Sequence, residues 1–324
     1  MNSVCIDLGS ENLRVYTHKK GLLLDTSSLI AKDTATGKLI AFGSDVLSYL
    51  DKNPSSITIS KPIVTGNIVS YDDCFLLVNE VINTICKKSI LLPKIRANIK
   101  SECTELQKLT LIDIFNEVGA RSVELIDEGF AAAMGANAGF YERKAFAVIN
   151  MGAGKSEFAV LSGGQKVNSF NIEIGGNLIT ERIVEYVKDV KNCLIGFNTA
   201  EKAKLTLISA TPKNVEVAVT VSGINTETKL PMVTELSSSD IFLLVSTTLN
   251  TLCDEISKNF SLVEPELCSD IYMRGIALTG GMANIDGISR FISSRLGVDT
   301  NIIPNPELAV VKGLDRSINH ERIG

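Results

Sequence analysis

The feature that most constrains this chain is a duplicated hairpin. Val4-Cys5-Ile6-Asp7-Leu8-Gly9-Ser10-Glu11-Asn12-Leu13-Arg14-Val15-Tyr16 reads as an apolar strand, a glycine turn and a second strand. Ala147 to Val160 repeats the layout, with Asn150, Met151 and Gly152 aligned on Asp7, Leu8 and Gly9 at a constant displacement of 143 residues. Each copy continues through a further turn, Lys20-Gly21 in the first and Gly163-Gly164 in the second, into a third strand. A repeat of this kind divides the chain before any other feature is considered. It predicts two related α/β lobes facing one another, residues 1–149 and 150–324.

Caps signpost the helices. Thr104-Glu105-Leu106-Gln107 has the form of a capping box ahead of apolar Leu106, Leu109, Ile112 and Phe115. Asn198-Thr199 predicts the start of a short helix carrying Glu201 and Lys204. Ser239-Asp240 predicts a longer one, with Ile241, Leu244, Val245, Leu249, Leu252 and Ile256 on one face. Gly275 to Gly281 reads as a strand breaking into glycines, followed by a helix capped by Asn284 with Ile285, Ile288, Phe291, Ile292 and Leu296 inward. Two insertion subdomains are expected. One covers about 30–65, turning at Lys32–Gly37; the other covers about 187–240, with a hairpin of Val215–Val221 and Lys229–Thr234 around Gly223.

Composition narrows the function. The 324 residues are 45% apolar and 21% charged, as in a globular protein with a sizeable core. A net charge of −5 argues against a nucleic-acid partner, whose electrostatic footprint on a protein is basic. No apolar run reaches the ~20 residues that span a bilayer. Neither a basic stretch nor a long apolar segment precedes Asp7, so no secretory signal is expected. Seven cysteines without a CxxC pair predict buried thiols in a reducing cytoplasm. Two histidines, His18 and His320, leave little for a His-based zinc site or a serine triad.

The glycine turns carry the chemistry. A strand ending in Asp-x-Gly puts a carboxylate at its tip and backbone amides just beyond. The amides suit phosphate oxygens and the carboxylate suits a hydrated Mg²⁺. One such match is weak. Two in register, with a strand–Gly-Gly–helix element at Leu278 to Asn284, are specific, because a helix start and bare backbone let an anionic ligand approach.

On these residues the sequence resembles the actin-like ATPase superfamily, and within it the bacterial actins of the MreB family. Asp7-Leu-Gly-Ser-Glu-Asn12 is similar to the family's first phosphate loop, Asn150-Met-Gly-Ala-Gly-Lys-Ser156 to its second, and Leu278-Thr-Gly-Gly281 to its adenosine motif. Leu125 to Gly135 resembles the connecting helix, with Glu128 at the catalytic glutamate. Leu194-Ile-Gly196 and Thr199 to Lys204 resemble the helix beside adenine and ribose. Asp270 to Gly275 and Leu308 to Gly313 also fit.

The resemblance implies an actin-like fold, two ribonuclease-H-like lobes in four subdomains around a nucleotide cleft, with ATP and Mg²⁺ as cofactors. It implies metal contact for Asp7 and nucleotide contact for Gly9, Ser10, Glu11, Asn12, Asn150, Gly152, Ala153, Gly154 and Lys155. Gly175, Gly176, Asn177, Glu201, Lys204, Gly280, Gly281 and Met282 complete the implied nucleotide set. Other readings stand beside these. Asp7 could serve as a cap, Glu128 as a solvated helix residue, Lys155 could point to solvent, and Glu201 with Lys204 could form a surface ion pair. His18 is expected to be exposed.

Departures from the family pattern matter as much. MreB proteins usually carry Asp where Asn150 stands, Thr where Lys155 stands, Pro at Gly129 and Asp at Asn177. The first two changes make the pocket more positive, which favours a bound phosphate without accelerating its cleavage. The function implied is therefore an ATP-binding cytoskeletal protein of the cytoplasm that polymerises head to tail, with slow hydrolysis. Ile90-Leu91-Leu92, set among Lys87, Lys88, Lys94 and Arg96, matches the family's membrane-inserting loop, which implies an anionic membrane surface as a possible partner. A helix end packed on the core is the alternative there. A small-molecule kinase on the same fold is the rival function.

Overall fold

A computed structural model of the chain describes residues 3–50, 55–86, 92–136 and 143–320. The first lobe opens with β1 (Ser3–Leu8), β2 (Asn12–Thr17) and β3 (Gly21–Ser27). β4 (Ile30–Asp33), β5 (Leu39–Phe42), the single helical turn α1 (Leu47–Leu50) and β6 (Ile57–Ser60) follow, then the short strands β7 (Ile63–Val64) and β8 (Asn67–Ile68). It is completed by α2 (Tyr71–Cys86), β9 (Lys94–Ile99), α3 (Glu105–Glu117), β10 (Ser122–Asp127) and α4 (Glu128–Ala136).

The second lobe repeats the opening with β11 (Phe146–Met151), β12 (Ser156–Ser162) and β13 (Gln165–Ile172). Then come α5 (Gly176–Lys191), β14 (Cys193–Leu194), α6 (Phe197–Leu207), β15 (Ala218–Asn225), β16 (Pro231–Ser237), α7 (Ser238–Phe260) and α8 (Pro265–Arg274). β17 (Ile276–Thr279), α9 (Ile288–Leu296), β18 (Thr300–Ile302) and α10 (Ala309–His320) close the chain.

The duplication extends to topology. The first sheet runs β3-β2-β1-β9-β10 and the second β13-β12-β11-β17-β18. In each, the hairpin strands pair antiparallel and the two later strands join parallel. β11 is buried along its whole length because sheet neighbours flank it and helices cover it, as a central strand requires. The insertions form separate three-stranded sheets, β5-β4-β6 and β14-β15-β16.

A core lies in each lobe, around Ile6, Leu13 and Phe115 in the first and Ile149, Phe158 and Ile179 in the second. A third joins them, where Ala131 and Ala132 of α4 and Val311 and Leu314 of α10 pack with Phe146 and Val148 of β11. A Cβ on Gly135 of α4 would lie 1.9 Å from the Ala309 carbonyl oxygen, and one on Gly313 of α10 would lie 1.7 Å from that of Ala131. Only glycine lets the two helices cross this closely. Arg316 Nη1 then donates to the carbonyls of Met134 and Gly135, each at 2.7 Å, closing the end of α4.

Several local expectations shift. Thr104 does cap α3 with Gln107, but Leu106 and Leu109 are 74% and 57% exposed, and Leu111, Ile114 and Phe115 form the buried face. Ser237, not Ser239, caps α7, with Asp240 closing the box from its third position. α6 starts at Phe197 after Gly196. Asn284 ends a four-residue 3₁₀ turn, Gly281–Asn284, and the helix after it begins at Ile288 behind Gly287. Gly223 sits inside β15 opposite Met232; the hairpin turns at 226–230 instead. Four cysteines are buried, while Cys86, Cys103 and Cys268 are half-buried. His18 is exposed, as expected, with Nδ1 3.0 Å from Asp315 Oδ2.

Candidate functional site

The two repeated turns face each other across a cleft. In the first, the Gly9 amide donates to the Asn12 carbonyl at 3.1 Å; in the second, the Gly152 amide donates to the Lys155 carbonyl at 2.9 Å. The same bond therefore closes both turns at equivalent positions. Around the cleft the structure gathers Asp7, Gly9, Ser10, Glu11, Asn12, Glu128, Asn150, Gly152, Ala153, Gly154, Lys155, Gly280 and Gly281, enclosing a cavity of about 120 Å³. Arg14, Gly66, Glu307 and Val310 join them.

Asp7 reaches the cleft from the end of β1 and is 6% exposed. Arg14, its cross-strand partner, stands 3.9 Å away and also donates from Nε to Asp25. Burial outweighs that guanidinium and pushes the Asp7 carboxyl up to about 7.

Glu128 begins α4, with its carboxylate shared between the two departures from the family pattern. Asn150 Nδ2 donates to Oε1 at 3.0 Å, and Lys155 Nζ lies 3.0 Å from Oε2. Lys155 is 8% exposed, so it does not point to solvent. Burial opposes its charge, but Glu128 and Glu157 beside it hold its pKa above the ordinary lysine value. Asn150 is fixed in turn by Thr279, whose hydroxyl donates to Oδ1 at 3.1 Å.

The remaining expected positions fall behind this front row. The Gly176 amide donates to the Gly152 carbonyl and the Asn177 amide to that of Ala153, so α5 holds the carbonyls that would otherwise repel an anion. Lys204 is 5% exposed, which removes the surface ion-pair reading. It bonds the Gly176 carbonyl, Thr180 Oγ1 and Glu201, bracing α6 against the start of α5. Met282 is buried in the 3₁₀ turn beside Gly176. Gly280 and Gly281 therefore lead into a turn rather than a helix. Ile90 and Leu91, with Lys87 and Lys88, lie outside the described residues; Leu92 is 58% exposed.

Sequence reasoning missed three contributors. The Thr65-Gly66 turn of β7–β8 reaches over from the first lobe, its Gly66 amide donating to Ser10 Oγ at 3.1 Å beside the Lys155 stem. Glu157 lies buried behind Lys155, and Asn171 Oδ1 accepts from Lys155 Nζ at 3.1 Å. The Thr65-Gly66-Asn67 tripeptide was the only available signal for the turn, and it looks like any other loop.

The donor set suits a metal-bound polyphosphate. Two glycine turns, the Asp7 and Glu128 carboxylates and one buried ammonium converge on one cleft, and among the described residues no group of three metal-ligating side chains competes for the ion. A magnesium ion bound to phosphates needs only one or two protein carboxylates because it keeps its waters.

The sequence matches the description MreB/Mbl protein over residues 1–323. It is 29% identical over 318 residues to the cell shape-determining protein MreB of Escherichia coli, covering 96% of this chain and 92% of that one. In structure it is similar to MreB5 of Spiroplasma citri bound to ADP, with a TM-score of 0.92, 26% identity, and 99% and 96% of the two chains covered. The same protein bound to AMPPNP gives 0.91 at 25% identity, covering 99% and 97%. A MamK protomer from a double helical filament, 15% identical with a TM-score of 0.81 over 98% and 99% of the chains, shares the fold.

Proposed function

The chain belongs to the MreB/Mbl protein family, and on that premise we propose that it is a nucleotide-binding cytoskeletal protein that assembles into actin-like filaments and hydrolyses ATP slowly. The observation that carries this reading is the pair of closed glycine turns facing across one cleft, with Asp7 at one wall and Glu128 between them. Support comes from the MreB5 neighbour, which binds ADP and AMPPNP, and from cell-shape and filament relatives. None of these relatives is a kinase, and the kinase alternative has no observation behind it.

Bound ATP with Mg²⁺ would supply the phosphoryl group to be cleaved. Asp7 then offers its carboxylate to the hydrated ion, and the turns at Gly9 and Gly152 offer backbone to the phosphates. Glu128 is the group able to orient a water, work typically worth ~10²–10⁴-fold. Both its oxygens are engaged, one by Asn150 and one by Lys155. No hydroxyl stands at position 155 to hold the water in line, and misplacement by ~1 Å costs on the order of 10²-fold. The cleft binds better than it cuts.

Filaments follow from self-association through unlike surfaces that do not close into a ring. The test is sedimentation with electron microscopy, in ATP and in AMPPNP. Filaments in both support the reading, and soluble monomers in both overturn it. Placement is proposed as cytoplasmic and peripheral to the membrane: among the described residues no helix is long and apolar enough to cross one. If the loop at 90–92 docks on anionic vesicles, changing Ile90, Leu91 and Leu92 to Ser should abolish vesicle co-sedimentation of filaments. Filaments are the sample to use because many weak contacts multiply. Binding that survives the change removes this loop as the membrane contact, and a wild type that does not co-sediment removes the membrane from the reading.

A further inference from the structure

Behind the cleft lies a buried carboxyl that the proposed chemistry does not use. Glu157, in β12, is 1% exposed. Its Oε1 accepts from Ser169 at 2.5 Å and from Ser101, a residue of the opposite lobe just past β9. Its Oε2 is buried with no hydrogen-bond partner among the described residues and lies 3.8 Å from Lys155 Nζ. Buried, unpaired carboxyl oxygens are costly, so one facing an ammonium marks a place that group can occupy.

Three further observations bear on the same carboxyl. Asn171 Oδ1 holds Lys155 Nζ at 3.1 Å, a pivot compatible with either neighbour, while its Nδ2 is buried and unpartnered. The backbone beside Glu128 makes room for Glu157: a Cβ on Gly129 would lie 2.3 Å from Glu157 Oε1 and 2.9 Å from Cδ. Finally, the charged groups around Glu157 are few. Lys155 ends the turn just before its strand, and Glu128 begins α4. Asp127 ends β10 and is neutralised by Lys166 of β13. Asn150, the cross-strand neighbour, carries no charge.

We propose that Glu157 is a positioning residue for Glu128: its free oxygen is a second seat for the Lys155 ammonium, and moving Lys155 into that seat frees Glu128 to hold a water. This rests on the reading of Glu128 as the water-orienting group. The Ser101 contact makes the seat depend on the opposite lobe. Burial and then Glu128 push the Glu157 carboxyl up to about 7, so its charge, and with it the pull on Lys155, grows as pH rises through that value.

The test uses the full-length, nucleotide-free protein, with glutamate carboxyl carbons followed by NMR from pH 5 to 9. The Glu128 resonance should show an inflection at the midpoint of Glu157, reporting departure of Lys155. Glu157→Gln should abolish it. Lys155→Met, which removes the ammonium and leaves Glu157 intact, should abolish it too and raise the Glu157 midpoint. With ATP, phosphate release should rise with pH in the wild type. In Glu157→Gln it should be flat and roughly tenfold lower, as for a preference of one pK unit between seats. A Glu128 resonance blind to Glu157, or one whose inflection survives Lys155→Met, overturns the proposal. Sedimentation of the same samples with AMPPNP reports separately on the filament reading, so the two can fail independently.

Discussion

The two hairpins share a backbone and differ in dress. Asp7 pairs across its strands with Arg14, and Asn150, its counterpart, pairs with Glu157. At the residue whose carbonyl closes each turn, the first copy has Asn12 and the second Lys155. One hairpin thus presents an anion backed by a cation, and the other a cation backed by an anion. The first makes that balance across its strands, Asp7 against Arg14, and the second along the chain, with Lys155 two residues before Glu157. The shared backbone suits phosphate, whereas the side chains decide what happens to it. The first hairpin is dressed for a metal. The second is dressed to hold Glu128.

The comparison can be broken at either hairpin. The largest effect is expected from returning the second to the family pattern. Lys155→Thr with Asn150→Asp should speed phosphate release on the order of 10²-fold, with assembly retained and the gain lost on adding Glu128→Ala. A wild type already as fast as the double variant would remove Lys155 as the brake. Next, Asp7→Ala should erase the Mg²⁺-dependent part of the melting-temperature rise with ATP, about 2.7 kcal/mol at a ligand excess of 100 Kd. Asn150→Ala should keep that part. If both lose it equally, the division of labour between the turns is wrong.

A smaller effect separates the hairpins by pH. Folded Asp7 holds its proton to about 7, against 3.8 for the ordinary group, so between those values the folded state binds the extra proton. Its stabilising contribution is complete below 3.8 and gone above about 7. Stability should fall with rising pH in that window, Asp7 contributing at most about 1.4 kcal/mol per pH unit beside the share of Glu157, whose carboxyl is raised from 4.5 to about 7. Asp7→Asn should make the slope shallower by the Asp7 share and Asn150→Asp should steepen it. Urea unfolding of nucleotide-free protein across the window reads both slopes, and an Asp7→Asn slope equal to wild type would place the raised pKa elsewhere.

The hairpins were legible because everything that makes them is local: an apolar run, a carboxylate or amide at the tip, a glycine, a second run. Thr104 with Gln107 was legible for the same reason. The face of α3 was not, since Leu106 and Leu109 form one stripe and Leu111, Ile114 and Phe115 another, and only the sheet beneath chooses between them. The expected cap of α7, Ser239, falls two residues late, because the capping-box spacing sets Asp240 three residues after Ser237. Glu128 was visible through family resemblance, but its engagement by Asn150 and Lys155 arises from elements that meet only in the folded chain. Glu157 was hidden most deeply. In a strand with one wet face a glutamate marks the solvent side, but β12 is buried on both faces for six residues.

The crossing of α4 and α10 has its own consequence. The spacing between Ala131 and Ala309 equals that between Gly135 and Gly313, and each glycine rests on the other helix's alanine carbonyl. That is an isologous contact, the kind two identical subunits make about a twofold axis, here written into one chain. Ala131, Ala132, Val311 and Leu314 pack around it, so the joint ties one lobe to the other directly beside the cleft, which Glu128 of α4 and Val310 of α10 help to line. A methyl group at either glycine would meet the opposite alanine carbonyl at less than 2 Å and force the two helices apart.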